Sequence, residues 1–122
     1  DLYDALATQV ASEWPSNSIL SQLSSVFQDI RKHMKQMGEA AGVPIEPEEQ
    51  TALCNATMQV PGVVAALVPG AGGYDAIACV SIDRPQVLEN IGKVWASYPD
   101  KVICPLGLEA SESGMRLEQK EE

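Results

Sequence analysis

The sequence predicts an α+β fold in which helices cover an antiparallel sheet. Three observations lead to this prediction. A long amphipathic helix signal covers residues 19 to 41, two short apolar runs flank a glycine-rich segment at residues 69 to 75, and a third apolar run follows a further helix signal. Strands joined by a tight loop pair antiparallel, and amphipathic helices need an apolar surface on which to pack.

The amino-terminal half is predicted to be helical. Residues 1 to 12 place apolar side chains at helical spacing and predict a short helix. In the long helix, the apolar side chains recur with a period near 3.6 residues, at positions 19, 20, 23, 26, 27, 30, 34 and 37. Gly42 is predicted to end this helix, because glycine readily adopts the left-handed conformation found there. Pro47 favours the start of another helix, which is expected to extend to about Gln59.

The carboxy-terminal half is predicted to hold the sheet. The apolar runs at 63–68 and 76–82 predict two strands, and a helix is expected to begin at Asp83 with Pro85 in its first turn. Residues 102–108 predict a third strand, which Pro105 and Gly107 would confine to an edge or a bulge.

The last residues are predicted to contribute little. A short strand is expected at 115–117, followed by a charged, frayed tail at 118–122. With 122 residues, the chain fits one domain spanning 1–122 or a piece of a larger protein. Because it begins at Asp1 and not at methionine, we expect it to be part of a longer polypeptide.

Charge and cysteine content narrow the classes of function. A formal net charge of −9 argues against nonspecific binding to nucleic acids and to anionic membranes. The cysteines, Cys54, Cys79 and Cys104, are odd in number and widely spaced, which favours neither a disulfide framework nor a zinc site. The sequence therefore predicts a protein of a reducing compartment, the cytoplasm. No segment is apolar enough over sufficient length to predict a membrane span.

The glycine-rich segment is the main candidate for chemistry. Gly70, Ala71, Gly72 and Gly73 lie between the two predicted strands, and Asp75 closes the segment. Successive backbone amides in such a turn can bind an anion, which an acidic protein could not attract by its overall charge. The segment matches neither the phosphate loop of the Walker type nor the dinucleotide-binding pattern. By pattern alone, a plain hairpin connection explains the glycines at least as well.

A family resemblance adds weight to this segment. Between Gly42 and Val80 the sequence contains IEP-x-x-QT, then PGV, then VPGAGGYDAI. This stretch resembles the carboxy-terminal region of eukaryotic, especially fungal, phosphomevalonate kinases. VPGAGGYDAI is similar to the third conserved motif of the GHMP kinases, the larger family that contains them. IRKHMKQMGEAAG and GLEASESGMRLE fit the same pattern, so the resemblance extends from about Ile30 to Glu118.

The resemblance implies a ferredoxin-like carboxy-terminal domain of a two-domain enzyme. Such an enzyme transfers a phosphoryl group from ATP, with Mg²⁺, to mevalonate 5-phosphate in isoprenoid and sterol biosynthesis. The implied substrate- and phosphate-binding loop is Gly70, Ala71, Gly72, Gly73, Tyr74 and Asp75. The implied partner is the amino-terminal domain of the same enzyme, which carries a GLGSSA-type phosphate loop that is absent here. The resemblance thus places no catalytic residue and no metal site in this chain, and predicts that the chain alone is inactive.

Several alternatives remain open at this stage. Arg31 and Lys35 lie on one helix face and could form a cationic patch toward phosphates, or a solvated face that balances Asp29 and Glu39. The chain could also be a free-standing module that binds a small anionic ligand through the glycine loop. A third hypothesis is an interaction domain whose apolar face docks a partner, because one fold hosts many functions.

Overall fold

The computed structural model describes residues 1–70, 72–108, 111–115 and 117. The helices and two of the predicted strands follow in the predicted order, and the class is α+β, compatible with a ferredoxin-like layered arrangement. The elements are α1 (Leu2–Leu6), a short 3₁₀ helix (Ala11–Glu13), α2 (Ile19–Ala41), α3 (Glu48–Met58), β1 (Val63–Leu67), β2 (Ala78–Ser81) and α4 (Pro85–Ala96).

The two strands form an antiparallel sheet. Val63 pairs with Ser81 and Ala66 with Cys79, and the register shifts between Val63 and Ala65. Helices α2 and α3 both pack on β1, and the first four residues of β1 are buried. Burial of a strand along a continuous run explains why its sequence is uniformly apolar and not alternating.

The core gathers around β1, the inner side of α3 and one side of α4. Its members are Leu6, Ala11, Trp14, Cys54, Met58, Val60, Val63, Val64, Ala66, Ile82, Val87 and Ile91. Trp14 closes one end, since its indole Nε1 donates to the carbonyl oxygens of Leu6 at 2.9 Å and Gln9 at 3.0 Å. These bonds satisfy two carbonyl oxygens where the chain leaves helical geometry. The first helix ends at Leu6 and is shorter than the predicted 1–12.

Helix α2 has the predicted bounds, with Ser18 as its amino-terminal cap and Gly42 left-handed at φ 70°. Its inward face, however, differs from the predicted apolar face. Five of the apolar side chains are exposed by 40% or more: Ile19, Leu23, Val26, Ile30 and Met37. The residues that turn inward include Leu20, Ser24, Phe27, Arg31, Met34 and Gly38. On this inward face, Arg31 bonds the buried Glu46, and Gly38 packs so closely that a Cβ on it would lie 2.7 Å from the Val43 carbonyl oxygen.

The predicted third strand is wrong. Residues 102–108 are described and form no strand, and Val102, Leu106 and Leu108 are almost fully exposed. Pro105 lacks an amide hydrogen and Gly107 has little strand propensity, which favours an irregular course. Met115 and Leu117 are likewise not in a strand, whereas Arg116 and the predicted tail at 118–122 lie outside the described residues.

Candidate functional site

The glycine-rich segment joins β1 to β2, as predicted, and it depends on glycine at defined positions. Gly72 and Gly73 have φ values of 84° and 103°, and Gly70 has a φ of 64°. Side chains beyond glycine rarely adopt such angles, so these glycines are required by the path of the backbone. Ala71 lies outside the described residues.

One face of this loop rests on Ile45. The amide of Gly73 donates to the Ile45 carbonyl oxygen at 3.0 Å. A Cβ on Gly72 would lie 2.7 Å from both the Cα and the carbonyl oxygen of Ile45. The close approach of two backbones explains why Gly72 cannot carry a side chain, and it fixes the height of the loop above Ile45.

The end of the loop rests on the same segment of chain. Gln50, which is buried, donates from Nε2 to the Ala76 carbonyl oxygen at 3.4 Å. Lys101 in turn donates from Nζ to Gln50 Oε1 at 3.4 Å and forms an ion pair of 3.5 Å with Glu49. Residues 45 to 51, named here the loop platform, therefore support the loop at both its middle and its end.

A buried ion pair ties the loop platform to α2. The Glu46 carboxylate is only 6% exposed and accepts from Arg31 Nε through Oε1. Its other oxygen, Oε2, accepts from Thr51 Oγ1 at 2.6 Å. Arg31 also donates from Nη2 to the Thr51 carbonyl oxygen at 3.2 Å. A buried charge is tolerated only when it is paired and hydrogen-bonded, and Glu46 satisfies both conditions.

Lys35 completes this network from the next turn of α2. Its Nζ donates to the Glu46 carbonyl oxygen at 2.8 Å and to Thr51 Oγ1 at 3.0 Å, and pairs with Glu48 at 3.1 Å. Arg31 and Lys35 thus lie side by side, as their spacing indicates. Within the described residues they contact the loop platform and not Asp29 or Glu39, and the Arg31 side chain is only 10% exposed.

The other face of the loop is open. A Cβ built on Gly70 or Gly73 would meet no atom within 4 Å, and the Tyr74 side chain is 57% exposed. The amides of Gly72 and Gly73 are occupied, since Gly72 donates to the Pro69 carbonyl oxygen at 3.3 Å and Gly73 to Ile45. An anion at the open face would therefore depend on other loop amides and on charges brought from elsewhere.

The described residues offer few groups for a polyanion or a metal. Ion pairs with carboxylates occupy the basic side chains of Arg31, Lys35, Arg84, Lys93 and Lys101. Across the part of the chain that the structure describes, no cluster of three histidine, cysteine or acidic side chains could hold a metal ion.

Two of the cysteines, Cys54 and Cys79, do not provide a nucleophile near neutral pH. All three are free. Burial raises the pKa of the Cys54 thiol and of the Cys79 thiol to about 11, because the thiolate is poorly solvated there. The thiolate is the reactive form, so both side chains are inert at pH 7.

A separate open cleft of about 630 Å³ lies away from the loop. Serine and amide side chains from the 3₁₀ helix, α2 and α3 line most of it, together with Trp14 and Met58. It contains no residue of the glycine loop or of the loop platform, so its size does not make it part of the candidate site.

Sequence reasoning found the loop but missed its support. The IEP-x-x-QT stretch was predicted only as the start of a helix, yet Ile45, Glu46, Gln50 and Thr51 all hold the loop or the network beneath it. A charged Glu before a proline gives no signal of burial. The one available indication was Arg31, which occupies an inward position of α2 amid apolar residues.

The sequence of the chain is similar to those of several curated phosphomevalonate kinases. The chain is 35% identical over 102 residues to the phosphomevalonate kinase ERG8 of Gibberella zeae, covering 81% of the chain and 23% of the relative. It is 60% identical over 69 residues to the peroxisomal phosphomevalonate kinase of Arabidopsis thaliana, and the match covers 57% of the chain and 13% of the relative. Over these stretches the chain is similar to phosphomevalonate kinases. A third match, to the phosphomevalonate kinase of Candida albicans, has 41% identity over 77 residues and covers 58% of the chain and 18% of the relative.

The chain spans less than a quarter of the length of these curated relatives. No family model matches it, and no solved structure matches it significantly. Among the helices that the structure describes, none combines the length and the apolar character needed to cross a bilayer.

Proposed function

We propose that this chain is the carboxy-terminal domain, residues 1–122, of a phosphomevalonate kinase of the GHMP type. The reaction is transfer of the γ-phosphoryl group of ATP to mevalonate 5-phosphate, giving mevalonate 5-diphosphate for isoprenoid and sterol biosynthesis. The observation that carries the proposal is the loop of the VPGAGGYDAI motif, held on one face and open on the other, in a chain similar to phosphomevalonate kinases.

The loop acts in this proposal as one wall of the substrate site. Gly70, Ala71, Gly72, Gly73, Tyr74 and Asp75 form that wall, and the open face meets mevalonate 5-phosphate or the transferring phosphate. A backbone wall with little freedom to move contributes by holding the reactants in place, and positioning is a large part of catalysis in phosphoryl transfer. No residue of this chain is assigned a proton transfer or a metal ligand.

The remaining parts of the site come from the amino-terminal domain of the same enzyme. Magnesium and cationic groups neutralise the charge that develops on the transferring phosphoryl group. Because five of the described basic side chains are in ion pairs with carboxylates, we expect ATP and Mg²⁺ to be held mainly by residues outside this chain. The proposal therefore includes that the isolated chain has no kinase activity. Arg31 and Lys35 act through the loop platform and not as phosphate ligands.

We assign the enzyme to the cytoplasm, where exposed thiols such as that of Cys104 stay reduced. One similar protein, from Arabidopsis thaliana, is named as peroxisomal. The net charge of −9 supports the absence of nucleic-acid and membrane partners.

A segment exchange tests the proposal. The matching stretch of the full-length Arabidopsis relative is replaced by this chain, and ATP-dependent formation of mevalonate 5-diphosphate is measured for the exchanged protein and for the isolated chain. We expect turnover in the exchanged protein and none in the isolated chain. A folded exchanged protein without turnover, or turnover by the pure isolated chain, would contradict the proposal.

A second candidate function is a free-standing module that binds a small anionic ligand through the loop. The open face of Gly70 and Gly73 favours it, because a ligand can approach the backbone there. Titration calorimetry of the isolated chain with mevalonate 5-phosphate distinguishes the two. Saturable binding that Gly72→Ala abolishes, together with an inactive exchanged protein, would support the module and not the kinase.

A further inference from the structure

The buried charges under the loop platform need an explanation beyond stability. Pairing a buried carboxylate with a guanidinium usually contributes little net stability compared with well-packed apolar residues. Yet Glu46 is buried and the Arg31 side chain is only 10% exposed, and Thr51 and Lys35 complete the hydrogen bonds around them. Such a network restricts the geometry of the chain more tightly than apolar packing does, since hydrogen bonds are directional.

The geometry that is restricted here is that of the Ile45 carbonyl. Glu46 directly follows Ile45, and both its carboxylate and its own carbonyl oxygen are held, the latter by Lys35 at 2.8 Å. The peptide between Ile45 and Glu46 is planar, so fixing Glu46 also limits the direction of the Ile45 carbonyl. That carbonyl is the acceptor for the Gly73 amide.

We propose that Glu46 is a positioning residue for the glycine loop. Clamped by Arg31, Thr51 and Lys35, it aims the Ile45 carbonyl at the Gly73 amide and thereby holds the open face of the loop in one place. Its relevance to catalysis rests on the proposed function, whereas its effect on the loop is a property of this chain alone.

Exchange of the Gly73 amide hydrogen, followed by nuclear magnetic resonance on the 122-residue chain, tests the positioning step without any kinase assay. Glu46→Gln keeps the size of the side chain and removes its charge. Thr51→Val removes one hydrogen bond to the carboxylate and is the milder variant if Glu46→Gln does not fold. We expect about tenfold faster exchange at Gly73 in Thr51→Val, because two charge-assisted hydrogen bonds are lost, one to the Glu46 carboxylate and one from Lys35.

Two further variants make the result specific. Thr51→Ser keeps the hydroxyl and is expected to restore slow exchange at Gly73. Thr57→Val is the control, since Thr57 is also a threonine of α3, but its hydroxyl is hydrogen-bonded to Leu53 and Trp95 and not to the loop platform. It is expected to leave Gly73 exchange unchanged relative to the Gly62 amide, which donates to the Gln9 carbonyl oxygen.

The kinetic consequence is measured in the exchanged full-length enzyme. Thr51→Val is expected to raise the KM for mevalonate 5-phosphate several-fold more than it lowers kcat, and Thr51→Ser to restore both. Unchanged Gly73 exchange in Thr51→Val, or equal acceleration at Gly73 and Gly62, would overturn the positioning role. If the full-length enzyme that carries the unaltered chain is inactive, the proposed function is refuted. Hydrogen exchange at Gly73 would still test the positioning role of Glu46.

Discussion

The amide of Gly73 donates to the carbonyl oxygen of Ile45 across 3.0 Å, and this contact joins two segments that are far apart in sequence. Gly72 adds a backbone approach with no room for a Cβ. The loop is therefore more than a connection between β1 and β2. Contacts with the loop platform restrict the conformation of the loop, so a change in either segment is expected to alter the open face of the loop.

Replacing Gly72 by alanine is expected to displace the loop. Both Gly72→Ala and the control Gly70→Ala place alanine at positive φ, which costs about 1–2 kcal/mol. Only at Gly72 would the Cβ also meet Ile45, at 2.7 Å, whereas at Gly70 it meets open space. Overpacking of this kind costs a further ~1–3 kcal/mol. Urea denaturation measures the free energy of unfolding of both variants, and equal losses would show that Ile45 does not restrict the loop.

Removing Arg31 is expected to be strongly destabilising. Arg31→Met leaves the buried Glu46 carboxylate without its guanidinium, which typically costs ~3–5 kcal/mol. The control Lys93→Gln breaks the exposed pair of Lys93 with Glu89 and is expected to change stability by less than about 0.5 kcal/mol.

A double variant distinguishes a lost charge partner from lost packing. Arg31→Met combined with Glu46→Leu removes both charges and is expected to recover most of the stability of Arg31→Met, because apolar replacement of a buried pair is often neutral. Urea denaturation of the single and double variants measures their free energies of unfolding, which are then compared. A double variant less stable than Arg31→Met would contradict this account.

Thiol chemistry is expected to differ sharply among the cysteines. Cys104 is exposed, while burial raises the pKa of Cys54 and Cys79 to about 11. Iodoacetamide at pH 8 should therefore label Cys104 first and the other two only on unfolding. Mass spectrometry of the labelled chain reports the order. Prompt labelling of Cys54 would show that its surroundings open readily.

The same two thiols predict a loss of stability in alkali. Their pKa in the folded chain is about 11, above the ordinary value of 9.0. The stability they contribute is complete below pH 9 and falls as the pH rises from 9 toward 11, because the unfolded chain releases these protons first. Unfolding midpoints at pH 8 and pH 10 should differ less in the Cys54→Ala, Cys79→Ala variant than in the unaltered chain.

Trp14 is expected to stabilise the amino-terminal turn through its indole hydrogen. Trp14→Phe keeps the ring in the core and leaves the carbonyl oxygens of Leu6 and Gln9 without their donor. The expected loss is about 1–3 kcal/mol, the cost of unsatisfied buried groups. Thermal unfolding followed by circular dichroism measures it, and an unchanged midpoint would mean that water replaces the indole.

Local signals made most of the fold predictable from sequence. The bounds of α2 follow from its capping residues, and β1, β2 and the intervening loop follow from apolar runs around glycines. The third strand was wrong because an apolar run carries no information about a pairing partner. For the same reason, the apolar period of α2 indicated a face that is largely exposed, while burial of Arg31 and Gly38 was decided by contacts with residues 43 to 46.

The candidate site was predictable only in its visible part. Glycines at positive φ leave a mark in the sequence, and the predicted loop therefore contains Gly72 and Gly73 where the backbone requires them. The support from Glu46, Gln50 and Thr51 leaves no such mark, since each of these residue types is common on surfaces. Their role depends on tertiary contacts that neither propensity nor spacing encodes.

The dependence of the loop on residues 31 to 51 bears on recombination between related enzymes. A crossover placed between α3 and β1 would combine the loop of one parent with the loop platform of another. Two active parents could then yield an inactive hybrid. Crossovers before α2 or after β2 would instead transmit Arg31, Glu46 and Gly73 as one inherited block. Libraries built on such enzymes should therefore keep this stretch from a single parent.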